Sequence, residues 1–149
     1  MATVQRFDRS MIENFLRTEN LRYLKDTDGD FILELSYDDE LGCALKNYLM
    51  VSMHDQDIYR ILTTSDRRIP RNDWGRAVMI CNTWNKERYW PKAFLSVRNP
   101  DSDTYGAITL EWQIDLGKGI HQELFNDFTM TILSGGIAFW KWAHQEQSM

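Results

Sequence analysis

Cysteine is scarce in this sequence. Its 149 residues contain two cysteines, Cys43 and Cys81, and each lies within an apolar segment. Small extracellular domains that depend on disulfides usually contain more cysteines, so the chain is not predicted to be a disulfide scaffold. We expect both cysteines to be buried thiols.

Long hydrophobic runs are also missing. Residues Met1 to Ser10 contain no apolar run that could serve as a signal peptide, and no apolar stretch is long enough to cross a bilayer. The most apolar region, Ile132 to Trp142, is interrupted by Gly135 and Lys141. The sequence therefore predicts a cytoplasmic protein with no membrane partner.

The chain lacks an excess of positive charge as well. It has 17 Lys and Arg against 22 Asp and Glu, which gives a net charge of −5. A nucleic-acid-binding protein needs a basic face for the phosphates, so this charge argues against a nucleic-acid partner. One basic cluster, Arg67, Arg68, Arg71 and Arg76 around Trp74, could bind phosphate or stack on bases. In an acidic chain we favour its interpretation as a solvated turn and helix start.

The length and composition fit a single folded domain over residues 1–149. Hydrophobic residues make up 43% of the chain and charged residues 26%, which is typical of globular proteins and excludes disorder. We therefore look for one hydrophobic core.

Hydrophobic periodicity predicts the order of the elements. A first helix has Asp8 as its N-cap, and a hairpin surrounds the turn Asp26 to Asp30. Further strands are predicted from Leu45 to Met53 and from Ile58 to Thr64. A second helix, two strands and a long terminal helix from about Ile120 to Ala143 follow. The apolar stripe of the second helix is predicted to be Trp74, Ala77, Val78, Cys81 and Trp84.

This order is helix, three or four strands, helix, two strands, helix. Strands with one dry face need a helical layer on that face, so the predicted class is α+β, an antiparallel β-sheet backed by helices.

The terminal helix carries more apolar side chains than one stripe can hold. A helix that is apolar nearly all round must be covered on two sides. One side can pack on the sheet, whereas the other needs a second subunit, a partner peptide or a covering loop. The alternative, that the helix is completely buried within one chain, is given at least equal weight. Aromatic residues anchor such interfaces, and our candidate protein-interaction residues are Phe125, Phe128, Phe139, Trp140 and Trp142.

Motifs for metal or catalytic chemistry are weak. Asp26, Asp28 and Asp30 resemble part of a calcium loop, but Phe31 and Tyr37 occupy the positions where an EF-hand needs Gly and Glu. A tight turn is the favoured interpretation. Cysteine and histidine are too scattered for zinc, and no Gly-x-Ser-x-Gly elbow is present. We predict no metal, no cofactor and no enzymatic activity.

Three short segments are informative by their order and spacing. They are the turn Asp28-Gly29-Asp30, the pair Asn82 and Asn85 near the end of the second helix, and Pro91-Lys92-Ala93 at the start of the next strand. The two asparagine amides could satisfy the last carbonyls of the helix. Together these segments resemble the YbjN family of bacterial proteins, sensory-transduction regulators, over roughly Phe7 to Trp142.

The resemblance implies a fold like that of type III secretion chaperones and no catalytic residues. It also implies a small acidic homodimer that offers apolar grooves to another polypeptide. Asn20 departs from the family, in which we expect glycine, and the tryptophan-rich end with Trp140 and Trp142 departs as well.

Our first hypothesis is therefore a non-enzymatic protein-interaction module, a dimeric adaptor or chaperone-like regulator that uses the terminal helix and the exposed sheet face. The alternative is a sensor that binds a small apolar molecule between sheet and helices. Its pocket would be lined by Met50, Met53, Met79 and Met130. An enzyme with an unrecognised site is the third hypothesis.

Overall fold

Three helices pack against one face of an antiparallel sheet in the computed structural model, which describes residues 3–52 and 54–149. Met53, predicted at the end of a strand, lies outside the described residues. The helices are α1 (Arg9–Thr18), α2 (Trp74–Glu87) and α3 (Gln122–Gln145). The strands are β1 (Leu24–Lys25), β2 (Phe31–Asp38), β3 (Cys43–Val51), β4 (Ile58–Ser65), β5 (Ile69–Pro70), β6 (Lys92–Ser96) and β7 (Tyr105–Asp115). A 3-10 turn, Arg71–Asp73, precedes α2.

Neighbouring strands in the sheet run antiparallel. The order is β1-β2-β3-β4-β7, and β6 pairs with the other side of β7. The short β5 pairs with the start of β7, along the same edge as β4. The predicted α+β class is confirmed, with one short strand, β5, that the sequence pattern did not predict.

Local signals set both ends of α1 as expected. The Asp8 carboxylate accepts a hydrogen bond from the Ser10 backbone N–H at 2.9 Å. The Ser10 side chain, which also donates to this carboxylate, lowers the pKa of Asp8 more than burial raises it. After the helix, Asn20 has a φ of 53°, the left-handed conformation that asparagine tolerates.

The core lies between the sheet and the helices. Alternate residues of β3, from Leu45 to Val51, are buried and face the helical layer. Two polar residues on this face, Asn47 and Thr63, bond each other, because the Thr63 hydroxyl donates to Asn47 Oδ1 at 2.7 Å. Because of this hydrogen bond, the Thr63 hydroxyl is buried without losing its bonding partner.

The predicted stripe of α2 is wrong at one position. The helix buries Ala77, Ile80, Cys81 and Trp84, whereas Val78 is 51% exposed. Residues three or four positions apart share one face of a helix. Ile80 is three residues from Ala77 and four from Trp84, so it lies on the buried face, and Val78 lies outside it.

The edge of β6 is covered by side chains from α2. The Asn85 amide donates to the Ala93 carbonyl and accepts from the Ala93 N–H, each at 2.9 Å. The indole N–H of Trp84 donates to the Pro91 carbonyl at 2.8 Å. Asn85 was expected to satisfy the last carbonyls of its own helix, and that expectation is wrong. Instead it occupies a sheet edge that could otherwise pair with another chain.

Candidate functional site

The structure places most of the predicted interaction residues in the core. Phe125, Phe139 and Trp140 are each 0% exposed. The Phe125 ring lies 4.6 Å from that of Tyr59, and the Phe139 ring lies 5.2 Å from that of Trp84. These three side chains contact their own chain, so they offer no surface to a partner. Of the two alternatives kept open for these residues, interface or complete burial within one chain, burial is the one observed for these three.

Phe128 and Trp142 are partly buried. The Phe128 ring stacks 6.1 Å from Trp112, and its edge-to-face neighbour is Trp90. Trp142 lies 5.7 Å from Trp84. Both side chains therefore close the margins of the core and retain limited exposure.

The second side of α3 is covered by a loop of the same chain. Gly135 lies against the Trp90-Pro91 segment, where an added Cβ would come within 2.9 Å of Pro91 Cδ. A covering loop was one of the three predicted ways to cover this side of the helix, and the contact at Gly135 is of that kind. The larger apolar side chains that α3 exposes are Leu124, Met130 and Ile137, each 37% or 38% accessible.

The opposite face of the sheet carries no helix within the described residues. Strand register aligns Ile32, Tyr48 and Leu62 directly beside one another on this open face. All three are half-buried, and Phe94 on β6 is 37% exposed on the same face. The open sheet face therefore presents a continuous apolar row across three strands.

The same row ends in a charged group. Glu111 on β7 is the cross-strand partner of Leu62 on β4, and Lys92 on β6 is the partner of Glu111 on its other side. The Arg60 guanidinium donates to Glu111 Oε2, with its Nε at 2.7 Å, and Lys92 Nζ lies 2.8 Å from Oε1. Glu111 is only 7% exposed. Two cations share one carboxylate, so this end of the row carries one excess positive charge.

Burial is the largest influence on Glu111 and would raise its pKa. The hydrogen bonds and charges of Lys92 and Arg60 together outweigh burial and hold the pKa below its usual value. Alternation along β7 puts Glu111 on the face opposite to Leu110 and Trp112. Only the register brings the two cations beside it, which is why the ion group could not be predicted.

A cavity of about 460 Å³ lies on this open face, beside Tyr48 and Lys46. This cavity is on the other side of the sheet from the predicted pocket between sheet and helices, and Met50, Met79 and Met130 do not line it. The fourth predicted lining residue, Met53, is outside the described part of the chain.

The basic cluster is used within the chain. Arg71 donates to the carbonyls of Pro100 and Asp103 and lies over the Trp74 ring at 4.5 Å. Arg67 donates to the Gly42 carbonyl at 3.1 Å. These arginines thus connect loops of the same chain.

The acidic turn is explained by its own hydrogen bonds. Asp26 Oδ1 accepts the N–H groups of Asp28 and Asp30, both at 2.9 Å, and Gly29 adopts a φ of 87°. Burial and the charge of Asp26 raise the pKa of Asp30. The expected tight turn is confirmed.

Both cysteines are buried free thiols, as expected. Burial raises the pKa of Cys43 and of Cys81 to about 11. Thiolates are the reactive form, so neither side chain has the properties of a nucleophile.

Within the described ranges, no helix combines the length and the apolar character that a membrane span requires.

Comparisons with known proteins agree on one family. The family model "YbjN: Putative bacterial sensory transduction regulator" matches residues 8–144. A solved structure described as "Crystal structure of YbjN, a putative transcription regulator from E. coli" superposes with a TM-score of 0.75 at 10% identity. That alignment covers 97% of each chain and shows a common fold. No curated protein sequence matches significantly.

Proposed function

This chain belongs to the YbjN family, and from that premise we propose that it is a non-enzymatic regulator that acts by binding a protein partner. The family description supports a regulatory role. Protein binding is our own addition, and the open sheet face is the observation that carries it.

An apolar row without a covering layer is typical of interaction surfaces. Ile32, Tyr48 and Leu62 form such a row, and a charged group adjoins it at Glu111. Aromatic and aliphatic side chains would supply contact area, and the ion group would set the orientation of a partner.

Further parts of the proposal follow from the same premise. The chain acts as one domain over residues 1–149, forms a homodimer in the cytoplasm, and handles its partner in the manner of a type III secretion chaperone. Of the five aromatic residues selected on α3, only Phe128 and Trp142 keep a proposed role in protein contact, as a second contact on the helical side of the sheet.

Site-specific photo-crosslinking tests the proposal. Benzoylphenylalanine replaces Phe94, which is on the open face, and in a control chain it replaces Tyr89, which is 94% exposed outside that face. In the bacterial cells that make the protein, we expect a discrete protein adduct from position 94 alone. The change Tyr48→Glu should abolish this adduct while the chain stays folded. Equal adducts from both positions, or none from position 94, contradict the proposal.

A further inference from the structure

A cleft of about 460 Å³ opens on the sheet face near the ends of β2, β3 and β4. This volume is within the usual range for small-molecule sites. Tyr48 contributes apolar surface on the open face, and the polar lining includes Ser36 and Thr64. The cleft thus combines an apolar part with a few polar groups, as ligand sites do.

A β-bulge shapes the cleft. Leu35 pairs with Leu45, but the next pair is Asp38 with Cys43, so β2 contains one residue more than β3 over this segment. Ser36 lies in the bulge and lines the cleft. Bulges redirect side chains and are frequent beside functional sites.

The far wall of the cleft is held in place by the protein. Asp66 Oδ1 accepts the Ala44 N–H at 2.8 Å, and the Asp66 N–H donates to the Ala44 carbonyl at 3.2 Å. The Ser65 hydroxyl accepts the Arg67 N–H at 3.2 Å. These bonds position the Asp66 carboxylate before any ligand arrives, which lowers the cost of ordering it on binding.

The charges around the cleft define a ligand class. Two carboxylates, Glu34 and Asp66, and one ammonium group, Lys46, line it. Lys46 Nζ is 3.9 Å from Glu34 Oε1, which is too long for a hydrogen bond and leaves both groups able to bond a ligand. We propose that this cleft binds a small zwitterion, with its ammonium group at the Asp66 carboxylate, its carboxylate at Lys46 and its apolar part against Tyr48. This inference goes beyond the proposed function and does not need a protein partner.

Three probes of matched size test the proposal by amide NMR titration of the full chain: L-leucine, its cationic amide and its N-acetylated anion. We expect saturable shifts at the cleft residues with leucine, and affinity about fivefold lower for each analogue that lacks one charge. Equal affinities for all three, shifts confined to other residues, or no saturable shift overturn the proposal.

A variant pair assigns the carboxylate contact. Lys46→Ala should reduce leucine affinity to that of the amide and leave the affinity of the amide unchanged. Lys141→Ala is the matched control, because Lys141 is similarly exposed and also faces a glutamate, Glu40, at 3.4 Å. An equal loss in the two variants, or no loss with Lys46→Ala, overturns the assignment.

Discussion

Phe139→Ala tests whether the aromatic residues of α3 are core or interface. The Phe139 ring is fully buried and makes edge-to-face contacts with Trp84 at 5.2 Å and Trp140 at 5.3 Å. Truncation of a buried phenylalanine costs about 3–5 kcal/mol. Three aromatic pairs, with Trp84, Trp140 and Trp142, are lost as well, so we expect the free energy of unfolding to fall by about 4 kcal/mol.

Urea unfolding followed by far-UV circular dichroism measures this loss, since most of this signal comes from the backbone and the midpoint is taken from each variant's own baselines. Ile137→Ala is the control, because Ile137 is on the same helix but 38% exposed, and we expect a loss of about 1 kcal/mol or less. A loss for Phe139→Ala no larger than for the control would refute the assignment of this ring to the core.

Four further substitutions test the surroundings of individual residues. Gly42→Ala should cost about 2 kcal/mol by urea unfolding, because its φ of 68° disfavours a side chain and a Cβ would meet a histidine ring at 2.5 Å. Gly75→Ala, in open space on a helix, should instead stabilise the chain by about 0.5 kcal/mol. Asn85→Ala should cost about 1 kcal/mol and speed hydrogen exchange at the Ala93 amide, which loses its partner; unchanged exchange would contradict this. The lowered pKa of Glu111 stabilises the fold above the unfolded value, near 4.5, and this contribution is lost as pH falls through the lower folded pKa. Glu111→Gln should therefore be less stable than the wild type at pH 7, with the difference shrinking toward pH 3; a constant difference would contradict it.

Periodicity was sufficient to predict most of the fold. Alternation in the strand from Leu45 to Val51 is reproduced by the burial pattern of β3, because a sheet with one covered face imposes a period of two. Cap chemistry was equally local, as at Asp8 and Asn20. These features depend on residues that are close in the chain, so they can be predicted from a single sequence.

The candidate site depended on contacts between distant residues. A helix that is apolar nearly all round does not reveal which neighbour covers each side, so Phe139 and Trp140 could not be separated from surface residues. Strand register was likewise hidden, and it decides that Arg60 and Lys92 meet at Glu111. Asn85 was misassigned because its partner, Ala93, belongs to the following strand.

The central claim is that a partner contacts the open sheet face. Rapid radical footprinting of tyrosines, performed in cells and on the purified chain, tests it directly. We predict that Tyr48 is protected in cells relative to the purified chain, whereas Tyr89, 94% exposed outside that face, is labelled equally in both. Equal labelling of Tyr48 in the two samples, or protection of Tyr89 instead, would contradict the claim.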